Sequence, residues 1–298
     1  MNETQLYGGI EAGGTKFVCI VGQDPKNIEA QARIETTTPE ETLKKVVQFF
    51  RPHIQEKTIT AIGVGCFGPL DLDPDSKSYG YITSTPKPGW RETDIVGFLR
   101  GELSIAVKMD TDVNAAALGE FTWGAGQGYD PLLYMTIGTG IGGGYIHNAK
   151  PLIGLLTPEM GHIRIPHDLN LDPFKGSCPF HQDCFEGLAS GPAIQKRFNV
   201  RGETLSDVHP FWEIESDYIA SAVADYVLVL TPKIIILGGG IMQRSNLFPL
   251  IRLKVMEKLN GYVQSASILE NIDAYIVPPG LGNRSGVLGA LALAQSIH

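Results

Sequence analysis

Two glycine-rich turns, each set between a pair of strand-like segments, constrain the fold of this chain more than any other feature. Gly13-Gly14-Thr15-Lys16 lies between residues 6–10 and 16–21, and Gly138-Thr139-Gly140-Ile141-Gly142 between residues 132–137 and 143–147. Glycine lets the backbone approach an anion closely, and successive N–H groups in such a turn form a cradle for phosphate oxygens. Thr15 adds a hydroxyl donor and Lys16 a charge. One such turn is a common hairpin device. Two of them, each followed by alternating helix and strand patterns, indicate an α/β fold built by internal duplication. Neither turn matches G-x-x-x-x-G-K-[ST]. Gly138, Gly140 and Gly143 do spell G-x-G-x-x-G, but a strand pattern follows rather than a helix, which disfavours a dinucleotide fold.

The remaining elements fit two halves. Residues 39–51 read as a helix, with Thr38 as N-cap, Glu40 and Glu41 in the first turn, and Leu43, Val46, Val47 and Phe50 at helical spacing. Strands are expected at 60–66 and 105–109, and helices at 95–102 and 112–124. In the second half, helices are expected at 191–198, 213–230 and 246–259, with strands at 233–237 and 274–277. Gly238-Gly239-Gly240 follows the Ile-rich strand, either as a plain strand-to-helix turn or as a side-chain-free surface for a flat ligand such as a nucleoside. Glycines at 124, 126 and 128 mark a boundary, giving an N-terminal lobe of residues 1–120 and a C-terminal lobe of residues 121–283. A closing helix at about 284–298 is expected to pack back onto the first lobe.

Hydrophobic residues at 43% and charged residues at 19% are ordinary for a globular protein of 298 residues. The net charge of −8 argues against nucleic acid as a partner, because a nucleic-acid surface needs a basic stripe. No apolar run approaches a membrane span, and no signal peptide is visible at Met1. Cys19 and Cys66 sit in apolar strand patterns, where a buried thiol is expected. A cytoplasmic protein is the expectation.

Between residues 159 and 186 the chain reads E-M-G-H and then C-P-F-H-Q-D-C-F-E. His162, Cys178, His181 and Cys184 make a complete tetrahedral zinc set with no open position, so a structural zinc is favoured over a catalytic one. The competing view is two buried thiols and a surface histidine. Pro166, Asn170, Pro173, Gly176 and Pro179 leave little room for helix or sheet, and a long irregular loop needs a staple or a function. Glu159 and Glu186 flank the set, so whatever fixes the loop fixes them too. Asp112 opens the helix at 112–124, either as its N-cap or as a base beside two phosphate turns. Phosphoryl transfer asks a protein for positioning, a magnesium ion and such a base. Asp110 would point elsewhere. Glu11, just before the first turn, is placed to hold magnesium; a plain strand-end acid is the alternative.

Taken in order, Glu11-Ala12-Gly13-Gly14-Thr15-Lys16, Asp112-Val113-Asn114, Ile137 to Gly142, Glu159-Met160-Gly161-His162 and the cysteine cluster resemble the ROK family of sugar kinases over essentially the whole chain. Phe67-Gly68-Pro69, Thr83 to Lys87 and Cys-Pro-x-His-x-x-Cys are most similar to its bacterial fructokinase branch. The C-x-C-G-x-x-G-C arrangement of the glucokinases is absent. The resemblance implies a two-lobed actin-like, hexokinase-like fold (a ribonuclease H-like duplication) with a zinc-bearing loop, and ATP-dependent phosphorylation of fructose at C6. It implies Asp112 as general base, and Asn114, Glu159, His162 and Glu186 as sugar contacts, with His162 also on zinc. It implies nucleotide contacts from Gly13, Gly14, Thr15, Lys16, Thr139, Pro192, Gly238, Gly239 and Gly240. ATP, Mg2+ and Zn2+ come with it, as does a homodimer. A glucokinase or mannokinase is the alternative hexose kinase. A sugar-responsive regulator is a more distant one, since only six residues precede Tyr7 and leave no room for a DNA-binding domain.

Overall fold

The computed structural model describes residues 5–56 and 59–297. The chain forms two compact units. One takes in the described residues up to Gln127, Ile153–Thr157, and those from Asn283 onward; the other takes in Gly128–Leu152 and Pro158–Gly282.

The first unit opens with β1 (Leu6–Ala12), β2 (Lys16–Asp24) and β3 (Asn27–Glu35), then α1 (Pro39–Gln55) and β4 (Ile59–Cys66). A two-stranded pairing of β5 (Tyr81–Ile82) and β6 (Thr93–Asp94) leads into α2 (Ile95–Leu103), β7 (Ala106–Thr111) and α3 (Asp112–Trp123). Its five-stranded sheet has the order β3-β2-β1-β4-β7. The first three strands are antiparallel, and β4 and β7 are parallel to β1 and to each other. Strand β3 is not among the strands expected above, although Ile28, Ala30, Ala32 and Ile34 alternate with polar residues. Its residues N-I-E-A-Q-A-R-I-E bury only Ile34, as suits an edge strand with a wet face. Helix α1 begins at its expected cap, since Thr38 Oγ accepts the Glu41 N–H, and it runs on past Pro52.

The second unit runs β8 (Leu132–Ile137), β9 (Ile141–His147), β10 (Lys150–Pro151), α4 (Phe185–Ala189), α5 (Gly191–Phe198), α6 (Phe211–Leu230), β11 (Ile234–Gly238), α7 (Leu247–Leu259), α8 (Ala266–Leu269), α9 (Ile272–Tyr275) and β12 (Ile276–Val277). Its sheet has the order β10-β9-β8-β11-β12. Again the first three strands are antiparallel and the last two parallel. The two sheets therefore share one topology, and in each the glycine turn joins the first strand to the second. A separate apolar core fills each unit, one around Phe17, Phe50, Val64 and Trp90, the other around Leu133, Phe185, Trp212 and Ile251.

Helix α10 (Ser285–Gln295) belongs to the first unit, and nine of its eleven residues are buried. Such all-round burial requires close neighbours on every face. A Cβ on Gly63 of β4 would stand 2.0 Å from the Ala290 carbonyl oxygen, and one on Gly289 would stand 1.6 Å from that of Ala115. Backbone thus packs on backbone. Glu120, fully buried on α3, accepts the Ser285 hydroxyl at 2.6 Å and the Ala125 N–H at 2.8 Å, which fixes the start of α10 to the end of α3. Among the described residues, no helix is long and apolar enough to cross a membrane.

Candidate active site and metal loop

In the first unit, the turn at residues 13–16 is held from both sides. The Gly13 N–H donates to the Lys16 carbonyl at 3.0 Å. Thr36, just past β3, gives its N–H to the Thr15 carbonyl at 3.0 Å and its hydroxyl to that of Gly13 at 2.8 Å. A side chain on Gly14 would meet nothing within 4 Å, so the turn presents bare backbone to open space. Thr36 was not legible in the sequence, because its partners come from a turn that only the β2–β3 pairing brings near.

Glu11, next to the end of β1, rests its carboxylate against Gly286, where a Cβ would come within 2.7 Å of it, and accepts the N–H of Val287 in the first turn of α10. Burial raises its carboxyl above the ordinary range, and the Asp112 charge adds to this against the pull of Lys16 and Arg33. Two carboxylates that repel each other beside a phosphate-type turn suit a magnesium ion, which takes one or two carboxylates and completes its shell with water and phosphate. Glu11 fits that ion, with the Asp112 charge beside it.

Helix α3 is not capped by Asp112. Thr111 is the N-cap, its hydroxyl accepting the Asn114 N–H at 3.1 Å, which leaves Asp112 as the first helical residue with its Oδ1 2.9 Å from the Val113 N. The capping alternative for Asp112 therefore falls away. Asn114 differs from its expected place against sugar: it is 1% exposed and donates its side-chain amide to Asp110 at 2.7 Å. Its helix position turns it inward, and its task is to hold Asp110, which also accepts the Thr111 N–H at 2.7 Å.

In the second unit, the turn at residues 138–141 is braced from outside its sheet. Glu186, in the first turn of α4, accepts the Ile141 N–H at 3.0 Å, and the Gly191 N–H donates to the Gly138 carbonyl at 2.7 Å. Beside this turn lies a cavity of about 440 Å³, lined by Thr139, Pro192 and Gly240 among others. The N-terminus of α5 opens onto it, capped by Ser190, an arrangement suited to phosphate. Of the three consecutive glycines only Gly240 reaches this cavity. Gly238 is buried under Tyr134 and Pro279, and Gly239, with φ +93°, packs on the backbone of Ile137 where any Cβ would clash. Gln195, Arg201, Glu203, Trp212 and Arg244 also line the cavity. Arg244 donates to the carbonyls of Gly202 and Leu205, each at 2.9 Å, and its guanidinium stands 4.4 Å from the Trp212 ring centroid. Those partners lie far apart in sequence and no local pattern announces them.

His162, Cys178, His181 and Cys184 converge, with one ligand atom from each lying within 4.8 Å of the others. Cys178 Sγ is 3.8 Å from Nδ1 of both His162 and His181, and Cys184 Sγ is 3.5 Å from Nδ1 of His162. A tetrahedral zinc with ordinary bond lengths requires sulfur–nitrogen edges of about 3.6 Å. Burial, with Cys178 and Glu186 adding, pushes the Cys184 thiol up to about 11, so a thiolate at neutral pH needs a cation beside it. The four side chains fit zinc. Because His162 turns Nδ1 toward the thiols, its Nε2 lies on the far side of the ring. Glu159 is exposed, and its carbonyl accepts the His162 N–H at 3.0 Å.

Two α/β units of one topology, a glycine turn between the first two strands of each, and an acid at the head of a helix define the class of hexokinase-like sugar kinases. A ROK hexokinase of Thermus thermophilus shares this fold with a TM-score of 0.79, covering 98% of each chain at 24% identity. The chain belongs to the ROK family, whose sequence model matches residues 7–297. It is 49% identical over 290 residues to a Bacillus subtilis protein provisionally named a fructokinase, covering 97% of this chain and 95% of that one. It is 44% identical over 291 residues to the fructokinase of Pediococcus pentosaceus, covering 98% of each.

Proposed function

We propose that the protein is an ATP-dependent hexose kinase that transfers the γ-phosphoryl group of ATP to the C6 hydroxyl of fructose. One observation carries the choice of sugar: relatives named as fructokinases match 41–49% of residues over nearly the whole chain. Asp112 is the general base. It accepts the proton of the sugar hydroxyl as that oxygen bonds to phosphorus and the bond to ADP breaks. Its support is its place as the first residue of α3, with capping left to Thr111. Glu159, His162 Nε2 and Glu186 hold sugar hydroxyls, and the bond from Ile141 to Glu186 keeps that carboxylate from turning away. The bare turn at Gly13 to Lys16 and the cavity at Thr139, Pro192 and Gly240 receive the nucleotide.

A bound Mg2+ at Glu11 would neutralise phosphate charge, and a bound Zn2+ at the four His/Cys ligands would fix the loop without entering the reaction. The homodimer and the cytoplasmic setting belong to the same proposal; light scattering on the purified protein tests the first. The deciding experiment is ADP release coupled to NADH oxidation with fructose, glucose and mannose in turn. Fructose should give the highest kcat/KM. Equal or better turnover of glucose overturns the choice of sugar, and no ADP release with any hexose overturns the kinase.

A further inference from the structure

We infer that Arg197 is a positioning residue that locks the His/Cys loop by gripping the chain on both sides of it, an inference that rests on the zinc-braced sugar site proposed above. From α5, its Nε and Nη2 donate to the two carboxylate oxygens of Asp172 at 3.2 and 2.8 Å, and Nη2 also donates to the Leu188 carbonyl at 3.1 Å. Asp172 lies in the irregular stretch between His162 and Cys178. Leu188 lies in α4, the helix that follows Cys184 and carries Glu186. One guanidinium therefore fixes the segment before the C-x-x-H-x-x-C turn and the segment after it. The same helix α5 contributes Pro192 and Gln195 to the cavity, so Arg197 ties the metal loop to the helix that walls the cavity.

The surroundings are built for that grip. The Arg197 and Asp172 side chains are 7% and 5% exposed. The guanidinium lies 4.3 Å from the Phe174 ring centroid and 4.5 Å from that of Phe211, and the Tyr218 hydroxyl donates to Asp172 at 2.8 Å. A buried ion pair seldom adds net stability over an apolar replacement, so its worth lies in fixing geometry. Glu215, fully buried on α6, completes the cluster. Neither of its carboxylate oxygens nor Arg197 Nη1 has a hydrogen-bond partner among the described residues. Burial raises the Glu215 carboxyl well above the ordinary range, with the pull of Arg197 opposing and the Asp172 charge adding, and the Arg197 fork is spent on Asp172 and Leu188 rather than on Glu215.

The test compares wild type with Arg197→Lys, Asp172→Asn, Tyr218→Phe and Glu215→Gln. It reads zinc loss to a chromogenic chelator, KM and kcat for fructose, and amide exchange across residues 163–184. Lysine keeps the charge but not the fork. R197K and D172N should lose zinc and raise KM for fructose about 10–100-fold, the range for groups that orient metal ligands, with kcat little changed. E215Q should match wild type in both. Zinc loss and KM at wild-type values in R197K and D172N overturn the inference, even where melting temperature falls. If both variants fail to fold, Y218F decides by a smaller change in the same direction, and no change overturns. If the wild type holds no zinc, it is the metal reading that fails. Amide exchange then answers for Arg197: faster exchange in R197K supports it, and equal exchange overturns it.

Discussion

The two glycine turns occupy the same place in two sheets of the same topology, yet they are held in different ways. The turn at residues 13–16 is braced by Thr36, which follows β3, the edge strand of its own sheet. The turn at residues 138–141 is braced by Glu186 and Gly191, which come from outside its sheet, just after the His/Cys loop. The first turn therefore depends on local sheet pairing and the second on the order of a loop. Acid chemistry divides along the same line. The first unit sets the Asp112 charge against Glu11 at the end of β1, while the second brings His162, Cys178, His181 and Cys184 together in a loop. Duplication supplied the frame, and the braces diverged.

The largest expected effect falls on the acid that only the first unit has. Asp112→Asn should lower kcat by roughly 10²–10⁴-fold, the usual worth of a general base, while fructose affinity measured by calorimetry stays within about threefold. Turnover close to wild type would remove Asp112 from the chemistry and leave the two halves without a functional asymmetry there.

Next comes removal of the loop's metal. Cys178→Ser should abolish zinc binding and raise KM for fructose about tenfold, with kcat less affected. Amide exchange should then separate the turns. The Ile141 N–H should lose protection because Glu186 loosens with the loop, while the N–H groups of Gly13 and Thr36 should keep theirs. Equal loss in both turns would show that they share a brace.

What was legible in the sequence and what was not follows from the range of the contacts. The glycine turns, the Thr38 cap and the C-x-x-H-x-x-C spacing are local, and residues a few positions apart report them. His162 was within reach because its neighbours Glu159 and Gly161 form a motif of their own. Strand β3 does carry an alternating pattern, Ile28, Ala30, Ala32 and Ile34 between polar residues, but two of the four are alanines and only Ile34 is buried, so its apolar signal is weak. The cap of α3 stays open in the sequence: Thr111 and Asp112 are both good N-caps, and one residue of register decides. The family resemblance sets Asn114 beside the sugar through its place on the helix, whereas its burial and its bond to Asp110 depend on how α3 packs. The Arg197–Asp172 pair and the Arg244–Trp212 cavity wall join segments that only the fold brings together.

A smaller effect is expected from cutting one brace in each turn. Glu186→Ala strands the buried Ile141 N–H and should cost about 1–3 kcal/mol, whereas Thr36→Val removes one hydroxyl bond and should cost about 0.5–1.5 kcal/mol. Urea titrations with and without a chelator sharpen the contrast. The Glu186 penalty should shrink once the loop has lost its metal, and the Thr36 penalty should not. A chelator-sensitive Thr36→Val would contradict the local character of the first turn.

The smallest effect distinguishes the halves by the sign of their pH dependence. Asp110 and Asp172 are both buried, one in each unit, but their carboxyls are displaced in opposite directions. Burial raises Asp110 above its ordinary 3.8, and the bonds from Asn114 and Thr111 only partly offset this. Burial acts upward on Asp172 too, but the bonds from Arg197 and Tyr218, with the Arg197 charge, outweigh it and hold the carboxyl below 3.8. A raised folded value means that the group's stability is present below the unfolded pKa and is lost as pH rises through the folded one. A lowered value means the reverse: stability is present above the unfolded pKa and is lost as pH falls through the folded one. Asp110→Asn keeps an oxygen for both donors and removes the titration, so its melting temperature relative to wild type should climb between pH 3 and 7. Asp172→Asn should be most damaging at neutral pH, with a deficit that narrows toward pH 3. Melting curves for the two variants across that range should slope oppositely. Parallel slopes would mean that Asp110 is paired in solution as Asp172 is, and the difference in how the two units treat a buried acid would disappear.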